Sequence, residues 1–270
     1  MITILALLAA GWAGAAAAKP SPATVKAFDD YVAKAEQRIK GEESSVETFV
    51  KESPAKDGTL QRGEVVIEQR SEPSEGVPEA MVHDWVGRVL IPHARVAEVL
   101  AVAEDYDHSA NHYAPEVMSS KLISRDGDDF RIALRLRDHK VITVVMDTEY
   151  EVQYGRLDAE HQFSWSRSTR IAEIADPGGA HEHAVSDAES HGYMWRLNSY
   201  WRFAQAGDGV VVECEAISLT RNVPTGLGWL IGPFVREIPR ESLETTLKQT
   251  RAAVMARREI RSQMNTDERR

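Results

Sequence analysis

Residues 192–223 constrain the fold most, because they read as one long β-hairpin whose two faces differ. Ala206-Gly207-Asp208-Gly209 is a turn signal between two β-rich runs. With Gln205 and Val210 as the flanking partners, Phe203 pairs with Val212, Trp201 with Cys214, Ser199 with Ala216 and Leu197 with Ser218. That face is apolar and carries Trp195 as well. The opposite face pairs Arg202 with Glu213 and Tyr200 with Glu215, and it carries Arg196 and Asn198. A sheet with one buried face requires this alternation. Paired arginines and acids could move a proton. On the face opposite the apolar one, they read instead as a solvent-facing ladder of ion pairs. Glu213→Gln and Glu215→Gln are therefore expected to cost about 1 kcal/mol or less each.

An apolar Gly/Pro turn over residues 224–233 follows, and then a long amphipathic helix. Leu243, Leu247, Thr250 and Val254 recur on one helical face, and Pro239 suits the first turn, where its missing N–H costs nothing. A long hairpin feeding a long terminal helix suggests a curved sheet that grips the helix. The apolar space between them would suit a greasy molecule.

Upstream, residues 81–91 read as a strand and residues 93–113 as short helices around Asp105-Tyr106-Asp107. Further strands are expected over 117–125, 130–137, 141–154 and 162–174. In these, Phe130, Ile132 and Leu134 are in phase on one side, as are Met146 and Tyr150, and Phe163 and Trp165. Arg131, Arg135 and Arg137 make the opposite, basic side of their strand. Residues 176–191 form a polar loop. Its His181-Glu182-His183, together with His191, is read as a solvated loop rather than a metal site. His108 and His112 are read as helix-surface residues. No metal, cofactor or catalytic residue is assigned.

The N-terminal part divides by composition. Residues 2–18 carry no charge, are dominated by Ala, Leu and Ile, and close on four alanines. Residues 1–18 therefore resemble a secretory signal peptide, too short for a comfortable span. No Lys or Arg precedes the apolar run, so cleavage near Ala18 and retention as an anchor both stay open. Either way the expected location is periplasmic or secreted. Ser21-Pro22 looks like a helix cap followed by a proline at the first helical position, and Val25, Phe28, Val32 and Ile39 repeat at helical spacing after it. Residues 19–79 form an N-terminal helical extension with a short strand and a linker, residues 80–258 the main domain, and residues 259–270 a charged tail. A formal net charge of −10 excludes general nucleic-acid binding, and Cys214 cannot form an internal disulfide.

The order strand, helices, antiparallel strands, long helix resembles the START/Bet v 1-like (SRPBCC) helix-grip superfamily. Val89-Leu90-Ile91-Pro92 looks like that family's first strand leading into its helix pair. Glu104-Asp105-Tyr106-Asp107 followed by Tyr113-Ala114-Pro115-Glu116-Val117 is similar to its passage before the second strand. Trp201-Arg202-Phe203 resembles the tryptophan-x-phenylalanine strand of the coenzyme Q-binding group, which lies beside the polyketide cyclases. The resemblance implies an α+β helix-grip fold, a curved antiparallel β-sheet wrapped around a long C-terminal helix. The superfamily includes carriers, sensors and cyclases, and the preferred reading is a hydrophobic small-molecule partner (lipid, quinone or polyketide-like) held without catalysis. The rivals are a cyclase/dehydratase-type enzyme using the same cavity and a solid-cored interaction module. The candidate ligand-binding residues are Tyr106, Leu134, Met146, Tyr150, Trp165, Trp195, Trp201 and Trp229. No nucleic acid and no transmembrane span in the mature chain are expected, and transient membrane contact is compatible with such a carrier.

The leader generates the first prediction. Exported protein should begin near Lys19, as read by N-terminal sequencing of the secreted or periplasmic fraction. Cytosolic protein with Met1 intact would overturn it.

Overall fold

The computed structural model describes residues 19–50, 58–71, 77–139, 143–187, 189–222 and 228–267. The side chains of residues 228–236 and 265–267 lie outside that description, as do the leader and most of the proposed linker. Nine strands form one antiparallel system: β1 (Val66–Gln69), β2 (Ala80–Ile91), β3 (Val117–Asp126), β4 (Asp129–His139), β5 (Thr143–Arg156), β6 (His161–Ala175), β7 (His183–Ala184), β8 (Arg196–Ala206) and β9 (Gly209–Arg221). The order across the sheet is β1-β2-β9-β8-β6-β5-β4-β3, with β7 pairing β6 to one side. Helices are α1 (Pro22–Glu42), α2 (Val46–Phe49), α3 (Val96–Ala103), α4 (Ser109–His112) and α5 (Gly228–Asp267), with a 3-10 turn at Tyr106–His108 before α4. This is the helix-grip fold. Among the described residues no helix is long and apolar enough to cross a membrane.

The hairpin register is the one its turn dictates. Gln205 faces Val210, Phe203 faces Val212, Trp201 faces Cys214 and Leu197 faces Ser218. Its apolar face looks toward α5, and Trp85, Val89 and Ile91 of β2 join it in one core with Val99, Leu243 and Leu247. Gly87 lets the helix come close to β2. A Cβ there would lie 2.5 Å from Leu247 Cδ1 and 2.6 Å from Ile67 Cδ1. One expectation is corrected: α5 begins at Gly228, so the segment from Gly228 to Pro233 is helical rather than a turn, and Pro239 sits in the helix interior. There it offers no N–H to the carbonyl four residues before it.

The larger correction concerns the outer face. The ladder of β8 and β9 is not in solvent, because α1 lies across it. Ser21 caps that helix by accepting from the Thr24 N–H, with Pro22 in the first turn. Its apolar face, Phe28, Val32, Ala35 and Ile39, packs on Val82, Ile217, Leu219, Trp165 and Tyr200. Burying each large member contributes roughly 1.5–3 kcal/mol. The covered charges are almost fully shielded: Arg88 is 2% exposed, Arg202 2%, Glu213 1% and Glu215 0%. Glu213 sits between Arg88 and Arg202 and pairs with both. Arg202 also reaches Glu42 of α1 at 2.7 Å, and Arg38 of α1 reaches Glu215 at 2.5 Å. The helix therefore brings the counter-charges that complete the network.

Removing one member of such a network leaves the others buried and unpaired, which costs about 3–5 kcal/mol rather than the 1 kcal/mol of an exposed pair. Arg202→Ala and Glu213→Gln should each lower stability by that amount in urea titrations. A loss under about 1 kcal/mol would mean that α1 does not stay docked.

Two carboxyls under the helix give a second prediction. Burial, then the nearby Glu215 carboxylate, pushes Asp84 up to about 7, although the Tyr31 hydroxyl donates to it at 2.6 Å. Burial likewise pushes Glu43 up to about 7, against the opposing hydrogen bond from Trp165 Nε1 at 3.1 Å. An acid whose value is raised on folding binds its proton more tightly in the folded state. It destabilises the fold as pH rises from the ordinary carboxylate range through about 7. Asp84→Asn should therefore lose less stability than the wild type between pH 5 and pH 8, in paired denaturation series. An identical pH slope for both proteins would contradict this.

Candidate functional site

A cavity of about 1100 Å³ opens between the concave face of the sheet and α5. It exists in part because several residues that point inward from the central strands are small. Ser164 and Ser166 of β6, Ser199 of β8, and Cys214, Ala216 and Ser218 of β9 form its floor. Bulkier groups close the sides: Ile132, Leu134, Met146 and Val152 from β4 and β5, and Leu243 from α5.

Of the eight expected ligand-binding residues, the structure brings five together at this cavity: Tyr106, Leu134, Met146, Tyr150 and Trp201. Trp201 is half-buried and stacks on Phe203 with ring centroids 6.2 Å apart. Trp165 and Trp195 are corrections. Both pack in the outer cluster beneath α1. Trp165 meets Tyr200 edge-on at 5.3 Å and lies under the Lys40 ammonium at 5.2 Å. The alternation of β6 is the reason, since Ser164 and Ser166 occupy the inward positions and Phe163 and Trp165 the outward ones. Trp195 precedes β8, outside its alternation. Trp229 lies in the first turn of α5, and its side chain is outside the described residues.

The polar groups of the cavity are segregated. Tyr106 and Tyr154 share a hydrogen bond at 2.8 Å, and Tyr113 bonds Thr250 Oγ1 at 3.1 Å. Burial raises all of these tyrosine hydroxyls, and that of Tyr150, which reaches about 12. They are therefore neutral donors at ordinary pH. Charged lining residues, among them Glu116, Arg137, Asp138, Arg221 and Glu241, cluster at one end. That end is where β4 and β9 finish and β3, β5 and β8 begin.

His191, which lines the cavity, lies with its Nδ1 2.9 Å from the Glu173 carboxylate. Glu173 is buried and also accepts from the backbone N–H groups of His191, Gly192 and Tyr193. Its carboxylate shapes the rim. The other histidines lie elsewhere. His181 and His183 are exposed, and Glu182 between them pairs with Arg135 at 2.7 Å. His108 lies 2.7 Å from Asp105, with His112 on the same carboxylate at 3.8 Å. Of the basic stripe, Arg135 pairs with Asp147 at 2.7 Å, Arg131 with Glu149 at 3.9 Å, and Arg137 lines the charged end. Ser199 and Ser218 stand on the hairpin's apolar face as its sequence predicts, whereas Ser164 and Ser166 were missed from sequence, although their inward phase follows once Trp165 is known to face α1.

No family model and no curated protein matches the chain. Solved structures do resemble it. A protein from Thermus thermophilus is 19% identical with a TM-score of 0.46, over 63% of this chain and 96% of that one. The STAR-related lipid transfer protein from Xanthomonas axonopodis is 16% identical with a TM-score of 0.46, over 68% and 98%. The Zhui aromatase/cyclase from a Streptomyces species is 14% identical with a TM-score of 0.44, over 65% and 95%.

The two sets of tryptophans are separable by experiment. A hydrophobic quencher in the cavity should dim the fluorescence of Trp201. Trp201→Phe should remove most of the ligand-induced quenching, while Trp165→Phe should leave it intact. The reverse pattern would place the ligand outside this cavity.

Proposed function

We propose that this protein binds a hydrophobic small molecule, such as a lipid, quinone or polyketide-like compound, and acts as a non-catalytic carrier or sensor. The observation that carries this reading is the cavity of about 1100 Å³, with apolar walls and its charges confined to one end. Ligand sites are concave, mostly apolar and furnished with a few placed polar groups. Apolar burial there supplies about 25 cal/mol per Å² removed from water. A solid-cored interaction module does not fit a chamber of this size. The cyclase/dehydratase alternative needs a free acid–base pair inside, and the pair at the rim has its carboxylate committed to backbone N–H groups. Export is part of the proposal and rests on the leader-like composition of residues 2–18.

Native mass spectrometry of protein purified from its own host tests this reading. A co-purifying apolar species that is lost on organic extraction is the expected result. Ligand-free protein that also fails to bind any hydrophobic probe would overturn it.

A further inference from the structure

Across the cavity floor runs a band of hydroxyl groups. Ser166 of β6 and Ser199 of β8 are direct cross-strand partners, so their side chains stand about 5 Å apart on the inward face. Ser199 faces Ala216 of β9, which puts Ser218 at the diagonal position. On the other side Ser166 faces Val152 of β5, and Tyr150, two residues earlier, is its diagonal neighbour. Tyr150, Ser166, Ser199 and Ser218 thus form one band over four adjacent strands, about 14 Å wide at the usual strand spacing. All four line the cavity. The three serine side chains make no hydrogen bond among the described residues.

Tyr150 is the strongest member. It is 5% exposed, and its hydroxyl has only a loose contact with the Thr148 hydroxyl two residues back on the same face. The adjacent Thr148 spends its own hydroxyl on the Leu134 carbonyl at 2.9 Å. A buried hydroxyl left unbonded is costly, and such groups normally find a partner. Serine in a strand floor serves first as a small residue that makes room. Four hydroxyls on one band, one of them on a buried tyrosine without a well-formed hydrogen bond, go beyond making room. Among the described residues no Lys, Arg, Asp or Glu lines the cavity at the band, so a carboxylate or phosphate there would lack a counter-ion from them.

We infer that the Tyr150–Ser166–Ser199–Ser218 band is the polar subsite of the cavity and selects ligands with uncharged carbonyl or hydroxyl oxygens on an apolar frame. This deepens the carrier reading and rests on it. An oxygenated ring system or isoprenoid satisfies the band. A bare hydrocarbon leaves it unbonded, and an anionic head group has to stay at the charged end.

The test compares 9,10-anthraquinone with anthracene, which share a frame and differ in two carbonyl oxygens. Binding is read by tryptophan quenching for the wild type, Tyr150→Phe and the double variant Ser166→Ala/Ser199→Ala. The wild type should prefer the quinone. The preference should fall about tenfold in each variant, the equivalent of one or two hydrogen bonds, with anthracene affinity and thermal midpoint little changed. The serine double variant keeps the test decisive if Tyr150→Phe folds poorly. A preference that survives in both variants, or a wild type that binds the two probes equally, overturns the subsite and leaves the carrier standing. Binding of neither probe sinks the carrier and the subsite together.

Discussion

Glu213 lies between Arg88 and Arg202, with all three side chains shielded from water on the face of the sheet turned away from the cavity. Each charge taken out of water costs several kcal/mol unless it is paired, and the sheet alone would leave this set only partly matched. Glu42 and Arg38 of α1 complete it, and Phe28, Val32 and Ile39 seal it with apolar contact. The N-terminal helix is thereby bound to the sheet by charge complementarity as well as by shape. Its register is fixed, because sliding by one turn would separate Arg38 from Glu215 and Glu42 from Arg202. This outer layer anchors the central strands. The inner face can then remain hollow, since the sheet does not depend on a filled concave core alone.

That layer also explains what the sequence did and did not disclose. Local pattern determined the hairpin completely: the turn at Gly207-Asp208 sets the register, and each pair from Gln205–Val210 to Leu197–Ser218 follows from it. The cap at Ser21, the helical run after it and the alternation of β4 were equally local. The burial of the ladder was not, because it depends on a segment some 160 residues away in the chain. Alternating polar and apolar residues signal a half-exposed sheet only when one face meets water. Here both faces of β2, β8 and β9 are covered, and the polar face is covered by a helix that carries matching charges.

The same cause misplaced the tryptophans. Large aromatics were assigned to the cavity because ligand sites and inward faces are usually apolar. In β6 the outward position was the apolar one, and Trp165 faces Glu43 and Lys40 from the extension. Trp201 kept its expected side because its strand partner Cys214 lies on the hairpin's apolar face. The difference between the two residues is topological. Trp201 belongs to a hairpin whose faces are defined by its own pairing, whereas the faces of β6 are defined by what packs on them.

A hollow core carries a physical cost, since empty volume forfeits dispersion contacts that a packed interior would make. The residues bordering this space show how the cost is met. Small side chains occur over much of the inward floor, and large ones stand in the outer layer, on the walls of β4 and β5, and at Leu197, Trp201 and Phe203 of β8. Part of the aromatic mass of the central strands, Phe163, Trp165 and Tyr200, is placed on the far side of the sheet. An exchange of phase in β6, with Trp165 inward and a serine outward, would fill part of the chamber. That exchange would also remove the indole N–H that bonds Glu43 and the ring beneath Lys40. The docking of the N-terminal helix and the emptiness of the cavity are thus coupled through one strand, because the same alternation serves both.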